Sequence, residues 1–299
     1  MNNTSPKTQV ITMVRTKDEE KQAVLMIRSL RHFGGTISNS PVLVYYPRGY
    51  NPILISIAFN DPDDSSIKLQ PFDIAGQIQE YYFSDKVSAF ANAEKIVQSN
   101  MDTLIWMNPG CLVVNQSDLF VTDGDYLAAF RPVHIQNVGS FANSPSDDYW
   151  KGIYRAVGLK NSPFNIESFV DSKLLKPYFN THCFSLSPHL GIGNLWLEVF
   201  DELVTDQYFQ QAACQDDLHQ VFLHQAVLSA VVIRWLDNEK IRILPPSYSY
   251  PLHFQDRIKP SKRVKTLNEL TCAVYEESSD LDKITIQEPY KSWLERNTP

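Results

Sequence analysis

The chain has 299 residues, and 43% of them are hydrophobic, which is enough for the core of one large α/β domain or two small ones. Its formal net charge is −7 and no basic run is longer than Lys262-Arg263, so composition excludes binding to a nucleic-acid phosphate backbone. A globular protein is predicted, in which single basic residues stay available to bind a small anion.

The first fifty residues predict a strand, a helix and a second strand. Residues 10–14 form a short β-rich run bounded by polar residues. Thr16, followed three residues later by Glu19, is a capping-box pattern that predicts a helix start, and two glycines at residues 34–35 predict its end. The apolar run at residues 41–47 has strand length. This order indicates a parallel βαβ unit.

The same alternation continues as far as the polar turn Asn108-Pro109-Gly110. A third strand is predicted at residues 67–72, a helix starts at residues 84–86, and a buried strand occupies residues 104–107. The alternation predicts an α/β fold with a mainly parallel, open sheet flanked by helices. Ligands of such sheets bind at the carboxyl ends of the strands, which makes this turn a candidate functional loop.

The second half of the chain is less regular. It predicts strands at residues 126–130, 179–186 and 241–244, and helices at residues 195–209 and 218–235. Residues 137–145 are rich in Asn, Ser, Gly and Pro and predict a loop, either a lid over the substrate or an ordinary surface loop. The chain becomes more charged after residue 257. We therefore expect an α/β domain over residues 1–257 and a C-terminal appendage over residues 258–299.

The sequence predicts neither secretion nor a membrane span. Residues 1–8 are polar and lack the apolar stretch of a signal peptide. Residues 218–235 are the most apolar stretch, but their His, Gln and Arg side chains would be costly in lipid, which indicates a buried helix. The four cysteines are widely separated, which favours reduced thiols over disulfides or a zinc site. A cytoplasmic protein is predicted.

Four segments resemble, in the same order, motifs of GT-A-type nucleotide-sugar glycosyltransferases, as in the glycogenin-like and related bacterial families. They are the helix from Lys86 with the strand up to Gly110, Tyr178-Phe179-Asn180-Thr181-His182-Cys183-Phe184, Leu223-His224-Gln225-Ala226-Val227-Leu228-Ser229, and residues 244–254, which include Tyr250-Pro251-Leu252-His253-Phe254. Together they span residues 9–255. The resemblance implies a GT-A fold and a nucleoside-diphosphate sugar as the donor substrate.

The chain departs from this family at the metal-binding motif. Members carry Asp-x-Asp where this chain has Asn108 and Gly110, and the two aspartates hold a divalent cation against the donor diphosphate. An amide has no net charge, so Mn or Mg is disfavoured here and no cofactor is assigned. His182 replaces a small residue of the family, and His224 replaces an aspartate. The resemblance also implies a metal ligand at His253, for which a structural histidine is the alternative.

Four residues are candidates for contact with a diphosphate. Asn108 offers an amide, and Gly110 permits close approach of the backbone to a phosphate. The alternative is a plain turn between two strands, because Asn-Pro-Gly favours turns by itself. Lys86 and Arg131 are cations at a predicted helix start and strand end; the alternative for each is a solvated side chain.

Three residues are candidates for contact with a sugar. Asn180 and His182 lie two residues apart on a predicted strand and therefore on one face of it. Gln225 lies on the apolar stripe of the predicted helix at residues 218–235, where a buried amide needs a hydrogen-bond partner. A sugar hydroxyl is one such partner, and a backbone carbonyl is the alternative.

The predicted function is transfer of a sugar from a nucleoside-diphosphate sugar to an unknown acceptor without a metal bound at Asp-x-Asp. Side-chain cations and backbone amides would stabilise the leaving group. No catalytic residue is assigned, since only position suggests Asp216 or Asp217 as a base. The alternative is a non-catalytic nucleotide-sugar or carbohydrate binding or scaffold protein that kept the transferase fold.

Overall fold

A computed structural model describes residues 6–60, 66–74, 76–97 and 100–299, so most of the polar start lies outside the described residues. The strands are β1 (Thr8–Met13), β2 (Val42–Pro47), β3 (Ile67–Phe72), β4 (Thr103–Met107), β5 (Cys111–Val113), β6 (Ala128–Phe130), β7 (Ile166–Glu167), β8 (Leu174–Leu175), β9 (Cys183–Leu186), β10 (Ile241–Ile243), β11 (Tyr250–Pro251) and β12 (Cys272–Val274). The helices are α1 (Lys17–Phe33), α2 (Ile53–Ala58), α3 (Ser84–Val97), α4 (Asp148–Ala156), α5 (Ile192–Thr205), α6 (Gln207–Ala213), α7 (Asp217–Trp235) and α8 (Tyr290–Asn297).

The central sheet has seven strands in the order β10-β6-β9-β4-β1-β2-β3. β1 is parallel to both of its neighbours, with Val10 opposite Val42 of β2 and Ile105 of β4. β9 runs antiparallel to β4 and β6, so the sheet is mainly parallel with one reversed strand. The predicted open α/β sheet is confirmed, and the strands predicted at residues 10–14, 41–47 and 104–107 are neighbours in it.

Helices cover both faces of the sheet, which is why its central strands are apolar on both sides. One face packs with α3, α5 and α7 in a core that contains Phe90, Trp106 and Trp196. The other face packs against α1 and α2. The helix α1 begins as predicted, because the Thr16 hydroxyl accepts a hydrogen bond from the N–H of Glu19 at 3.2 Å.

A buried carboxylate joins two of these helices. Glu94 on α3 is fully buried and accepts hydrogen bonds from the backbone N–H groups of Gly193 and Asn194, each at 2.9 Å. These groups lie in the first turn of α5, where backbone N–H groups lack partners within the helix. Burial raises the pKa of Glu94, while these hydrogen bonds oppose the rise. The side chain thus fixes the start of α5 against α3.

Two predictions of local structure need correction, and one helix had no predicted counterpart. The helix predicted at residues 195–209 is two helices, because the Asp206 side chain caps α6 by accepting from the N–H of Phe209. The helix α4 was not predicted. The strand predicted at residues 179–186 begins only at Cys183, because Oδ1 of Asn180 accepts from the N–H of His182 at 2.8 Å and bends the chain.

The C-terminal segment packs on the rest of the chain. β12 lies between β11 and β5 in a three-stranded sheet, and the hydroxyl of Tyr290 on α8 donates to the carbonyl of Val113 at 3.0 Å. The division of the chain at residue 257 stays a prediction. Among the described residues, no helix is both long and apolar enough to cross a lipid bilayer.

Candidate functional site

A crevice lies at the carboxyl ends of β1 and β4 and contains two adjoining cavities of about 230 and 300 Å³. The residues that line both cavities are Phe83, Lys86, Asn108, His182 and Glu276. The first cavity extends to Arg15, just after β1, and to Tyr275, just after β12. The second extends to Asn180 and Gln225. Seven of the predicted site residues therefore line one crevice, and Gly110 is one of them, on the wall of the first cavity.

Lys86 lies between the two cavities and is 3% exposed. Its Nζ donates hydrogen bonds to the carbonyl of Thr181 at 2.5 Å and to Oδ1 of Asn108 at 3.1 Å, and it lies 5.1 Å from the ring centre of Trp106. Burial lowers the pKa of Lys86 from 10.5 to about 7. Because both hydrogen-bond partners are neutral, the buried ammonium would gain from an anion placed in either cavity.

The turn after β4 is held by backbone and side-chain hydrogen bonds. Oδ1 of Asn108 accepts from Nε1 of Trp106 at 2.7 Å as well as from Lys86, which uses both lone pairs of this oxygen. The carbonyl of Gly110 accepts from the N–H of Tyr275 at 3.0 Å. An added Cβ at residue 110 would lie 2.3 Å from the Tyr275 carbonyl oxygen. Glycine is therefore required here for close approach to another strand.

These contacts decide how well a divalent cation fits at the turn. A hard cation needs charged oxygen ligands, and the turn offers one amide oxygen that already has two donors. Gly110 supplies no side chain, and Tyr275 occupies the space that one would need. The residues at positions 108 and 110 do not fit the cation that the GT-A resemblance implies.

The second cavity is bounded by buried amides and a hydroxyl. Asn180 and Gln225 are 3% and 4% exposed, so the two predicted sugar-binding amides are brought to the same cavity. The hydroxyl of Thr181 lies 3.3 Å from Oε1 of Gln225 and 3.2 Å from Nε2 of His224. The ring of His224 stacks on Phe83 at 4.3 Å between centroids. These few polar groups lie on an otherwise largely apolar wall, as is usual for small-molecule sites.

Three histidines meet on the wall of the second cavity, and one of them, His182, also lines the first. The ring centroids of His134 and His182 are 5.6 Å apart, and that of His253 lies 6.1 Å from the first and 6.4 Å from the second. Nε2 of His253 lies 3.7 Å from Oε1 of Glu276. Burial lowers the pKa of His182 to about 3 and that of His134 well below its usual value. Burial also lowers the pKa of His253, so all three imidazoles are neutral at pH 7.

Sequence reasoning missed three residues of this site. His134 follows β6 at its carboxyl end, a position at which the topology of the sheet predicts ligand contacts, so this signal was present in the sequence. Glu276 lies in the segment that was described only as an appendage, and no motif marks it. Arg15 follows β1 and is held by Glu19 at 2.6 Å and by Asp85 at 3.0 Å.

Two other predicted groups lie apart from the cavity walls. Arg131 is 3% exposed, donates to the carbonyl of Leu244 at 3.2 Å and stacks on Phe169. Burial lowers the pKa of Arg131 to about 9. Asp216 is exposed and caps α7 by accepting from the N–H of His219 at 2.9 Å, and Asp217 is an exposed residue of its first turn. These aspartates do not line the crevice.

Three cysteines come together beneath the turn. The Sγ atoms of Cys111 and Cys183 are 2.9 Å apart, and those of Cys183 and Cys272 are 3.7 Å apart. All three side chains are fully buried, and the structure assigns them as free thiols. Their separation along the chain concealed this cluster, because each cysteine comes from a different strand.

Comparisons with known proteins identify relatives of this architecture. The model of a family described as "Rhodobacterales glycosyltransferase domain" matches residues 10–236. No curated protein sequence matches. Among solved structures, the bifunctional glycosyltransferase WbbM in its apo form is similar, with a TM-score of 0.54 and 11% identity over 100% of this chain and 53% of that chain. This chain thus spans about half of the WbbM chain.

Two structures of the galactosyltransferase LgtC are also similar in fold. One is of an active-site mutant, with a TM-score of 0.53 and 9% identity over 90% of this chain and 87% of that chain. The other is a complex with donor and acceptor sugar analogues, with a TM-score of 0.51 and 10% identity over 91% and 88%. Together with the mainly parallel sheet, these likenesses confirm the GT-A-type fold.

Proposed function

This chain belongs to the Rhodobacterales glycosyltransferase domain family, and on that premise we propose that it transfers a sugar from a nucleoside-diphosphate sugar to an acceptor. The observation that carries the proposal is a buried lysine at the junction of two cavities, whose Nζ has two neutral hydrogen-bond partners and no direct anionic one among the described residues. The first cavity would hold the nucleoside, the second the sugar, and Lys86 the diphosphate between them. This arrangement of two adjoining cavities matches the extended shape of a nucleoside-diphosphate sugar.

The proposed donor contacts follow from the walls of the crevice. Asn180, His182 and Gln225 would orient the sugar through hydrogen bonds. Lys86 would stabilise the negative charge that develops on the leaving diphosphate, and the turn at residues 108–110 would lie beside it. Because the turn does not fit a hard cation, Mn and Mg have no role in this proposal.

A thermal-shift measurement tests the donor site. Uridine diphosphate, and guanosine diphosphate as a second nucleotide, are added to the protein in EDTA and then with Mn. We expect a nucleoside diphosphate to raise the melting temperature in EDTA, with little further gain from Mn. A rise that appears only with Mn would contradict the proposed charge stabilisation. If none of the nucleotides raises the melting temperature or binds in calorimetry, the donor-site proposal is wrong.

A second candidate function is binding without transfer. The single carboxylate on the described wall of the second cavity is that of Glu276, which is 66% exposed and lies beside His253. An inverting transfer needs a base at the acceptor, and Asp216 and Asp217 are exposed and line neither cavity. Release of free nucleotide from a panel of nucleotide sugars would establish an enzyme; tight donor binding without any release favours a binding protein.

The proposed location is the cytoplasm. Cys111, Cys183, Cys214 and Cys272 are all buried free thiols. A reducing compartment maintains such thiols, and Sγ atoms as close as those of Cys111 and Cys183 would be exposed to oxidation elsewhere.

A further inference from the structure

A third pocket, of about 850 Å³, is lined by α4, by the loop at residues 142–146 and by the segment at residues 159–165, and it shares no wall residue with the crevice. Four basic side chains line this pocket, whereas no acidic side chain of the described ranges does. They are Lys151, Arg155, Lys160 and Lys176. Because the chain as a whole carries a net charge of −7, its composition does not account for a wall of one positive sign. We call this site the basic pocket.

The charges of the basic pocket are only partly compensated by the protein. Lys151 forms an ion pair with Asp148 at 3.0 Å, and both side chains are exposed. In the part of the chain that the structure describes, neither Arg155 nor Lys160 has a carboxylate partner. Arg155 follows Lys151 by one turn of α4, so two like charges are neighbours on one helix face. An anion in the pocket would relieve this repulsion and would be held by several cations at once.

A buried phenol adds an uncharged donor to the same wall. Tyr154 is 5% exposed, and its hydroxyl makes no hydrogen bond of normal geometry with the described residues. Burial raises the pKa of Tyr154, and the neighbouring hydroxyl of Ser162 opposes the rise. Ser162 itself donates to the carbonyl of Phe164 at 2.8 Å. The phenol is therefore protonated at pH 7 and has a proton to donate to an anionic oxygen.

One loop connects the basic pocket to the second cavity of the crevice. Asn137 lines the second cavity, and the loop continues to Ala142 and Ser146 on the wall of the basic pocket. The N–H of Ala142 donates to the carbonyl of Leu174 at 3.1 Å, and Nζ of Lys176 donates to the hydroxyl of Ser146 at 2.7 Å, which hold the loop in place. Five residues span at most about 18 Å, so the two sites lie within the reach of a short oligosaccharide.

We propose that the basic pocket binds the anionic group, a carboxylate or a phosphate, of a charged carbohydrate acceptor. Guanidinium, ammonium and phenol groups all donate hydrogen bonds to the oxygen atoms of such a group. The pocket has the volume of a typical small-molecule site, which is more than a bare ion needs. The uncharged end of the acceptor would then reach the second cavity along the loop. This acceptor role rests on the proposed function, whereas binding of the anionic group does not.

Titration calorimetry with two trisaccharides tests the requirement for charge. Trigalacturonic acid carries a carboxylate on each ring, and maltotriose has the same type of linkage without charge. We expect the protein to bind trigalacturonic acid, with an affinity that falls as NaCl is added, and to bind maltotriose at least about tenfold more weakly. Glucose 6-phosphate in a parallel titration establishes whether a phosphate or a carboxylate is the preferred group, because the pocket should bind one of the two charged probes more tightly.

Two variants test the wall of the basic pocket. Arg155→Gln combined with Lys160→Gln removes two cations, and each exposed charge pair changes an affinity by up to about fivefold, so the charged probe should bind about 5- to 25-fold more weakly. Tyr154→Phe should weaken binding about tenfold or more, because a hydrogen bond to a charged group is lost. It should leave the melting temperature of the ligand-free protein unchanged, since the hydroxyl has no hydrogen bond to lose. A diffuse attraction to surface lysines would not respond to this change.

Lys173→Gln combined with Lys265→Gln is the matched control, because both lysines are exposed, lie outside the basic pocket and carry the same total charge. This control should keep the wild-type affinity. The inference is overturned if neither charged probe binds, if maltotriose binds as tightly as they do, or if the control loses as much affinity as Arg155→Gln with Lys160→Gln. Binding of a charged probe without binding of uridine diphosphate refutes the donor site alone, and the reverse result refutes the basic pocket alone.

Discussion

Replacement of Lys86 by methionine tests the proposed contact with the diphosphate most directly. The change keeps the unbranched side chain up to the ε position and removes the ammonium group with its hydrogen bonds to Thr181 and Asn108. A charge-assisted hydrogen bond contributes about 1.5 to 3 kcal/mol, so affinity for uridine diphosphate should fall roughly 10- to 150-fold. Titration calorimetry in EDTA measures the loss.

The pH dependence of nucleotide affinity gives a second, independent test of the role of Lys86. With its pKa lowered to about 7, Lys86 is half protonated at pH 7. Only about 3% is protonated at pH 8.5, so a site that needs the ammonium should bind the nucleotide about 15-fold more weakly there. The affinity of Lys86→Met should not change over this range, since the titrating group is absent.

Lys95→Met is the matched control, because Lys95 is an exposed lysine on the same helix and should alter neither affinity nor its pH dependence. Thermal melting of each variant separates loss of contact from loss of fold. Wild-type affinity that stays constant from pH 7 to 8.5, together with unchanged binding by a folded Lys86→Met protein, would refute the assignment of this lysine to the diphosphate.

Further outcomes concern stability. Gly110→Asp should lower the free energy of unfolding in urea by about 1 to 3 kcal/mol, because the new Cβ atom would lie 2.3 Å from the carbonyl oxygen of Tyr275. An unfolding midpoint equal to that of the wild type would contradict this, since it would mean that the backbone moves apart at no cost. Glu94→Ala should lower it by about 2 to 5 kcal/mol, since two buried N–H groups at the start of α5 lose their acceptor; Glu94→Gln, which keeps one oxygen acceptor, should lower it less. Because the pKa of Lys86 falls from 10.5 to about 7 on folding, the unfolded chain binds more protons between these values. The contribution of Lys86 to stability should therefore rise with pH across this window, and the slope of the unfolding free energy against pH should be less positive in Lys86→Met than in the wild type. A thiol reagent should modify none of the four buried cysteines in the native protein and all four in urea; reaction of the native protein would contradict their burial.

The strand and helix order of the first half could be predicted because each element carries its own signal. The Thr16 capping box and the apolar runs at residues 41–47 and 104–107 need no distant partner to be recognised. The site at the carboxyl end of β4 was predicted from the sheet type together with the resemblance to GT-A-type transferases. These two sources led to Lys86 and Asn108, which the structure places in the crevice.

Side-chain contacts between distant segments could not be predicted. Arg131 ends a strand as expected, but its burial against Phe169 depends on the packing of a different segment. A bend at Asn180 interrupts the predicted strand, because Oδ1 of Asn180 accepts a hydrogen bond from the backbone N–H of His182. The contact between His134 and His253 joins two loops that are more than one hundred residues apart. The hydrophobic periodicity of the sequence does not predict which distant segments come into contact.

The hydrogen bond between Tyr275 and Gly110 has a consequence for the order in which parts of the protein form during synthesis. More than half of the chain separates the two residues, and synthesis proceeds from the N-terminus. The central sheet can form on the ribosome while one wall of the crevice is still missing. Only when β12 has emerged and paired with β5 do Tyr275 and Glu276 reach the first cavity. A nascent chain would thus acquire its strands early and its complete binding crevice last.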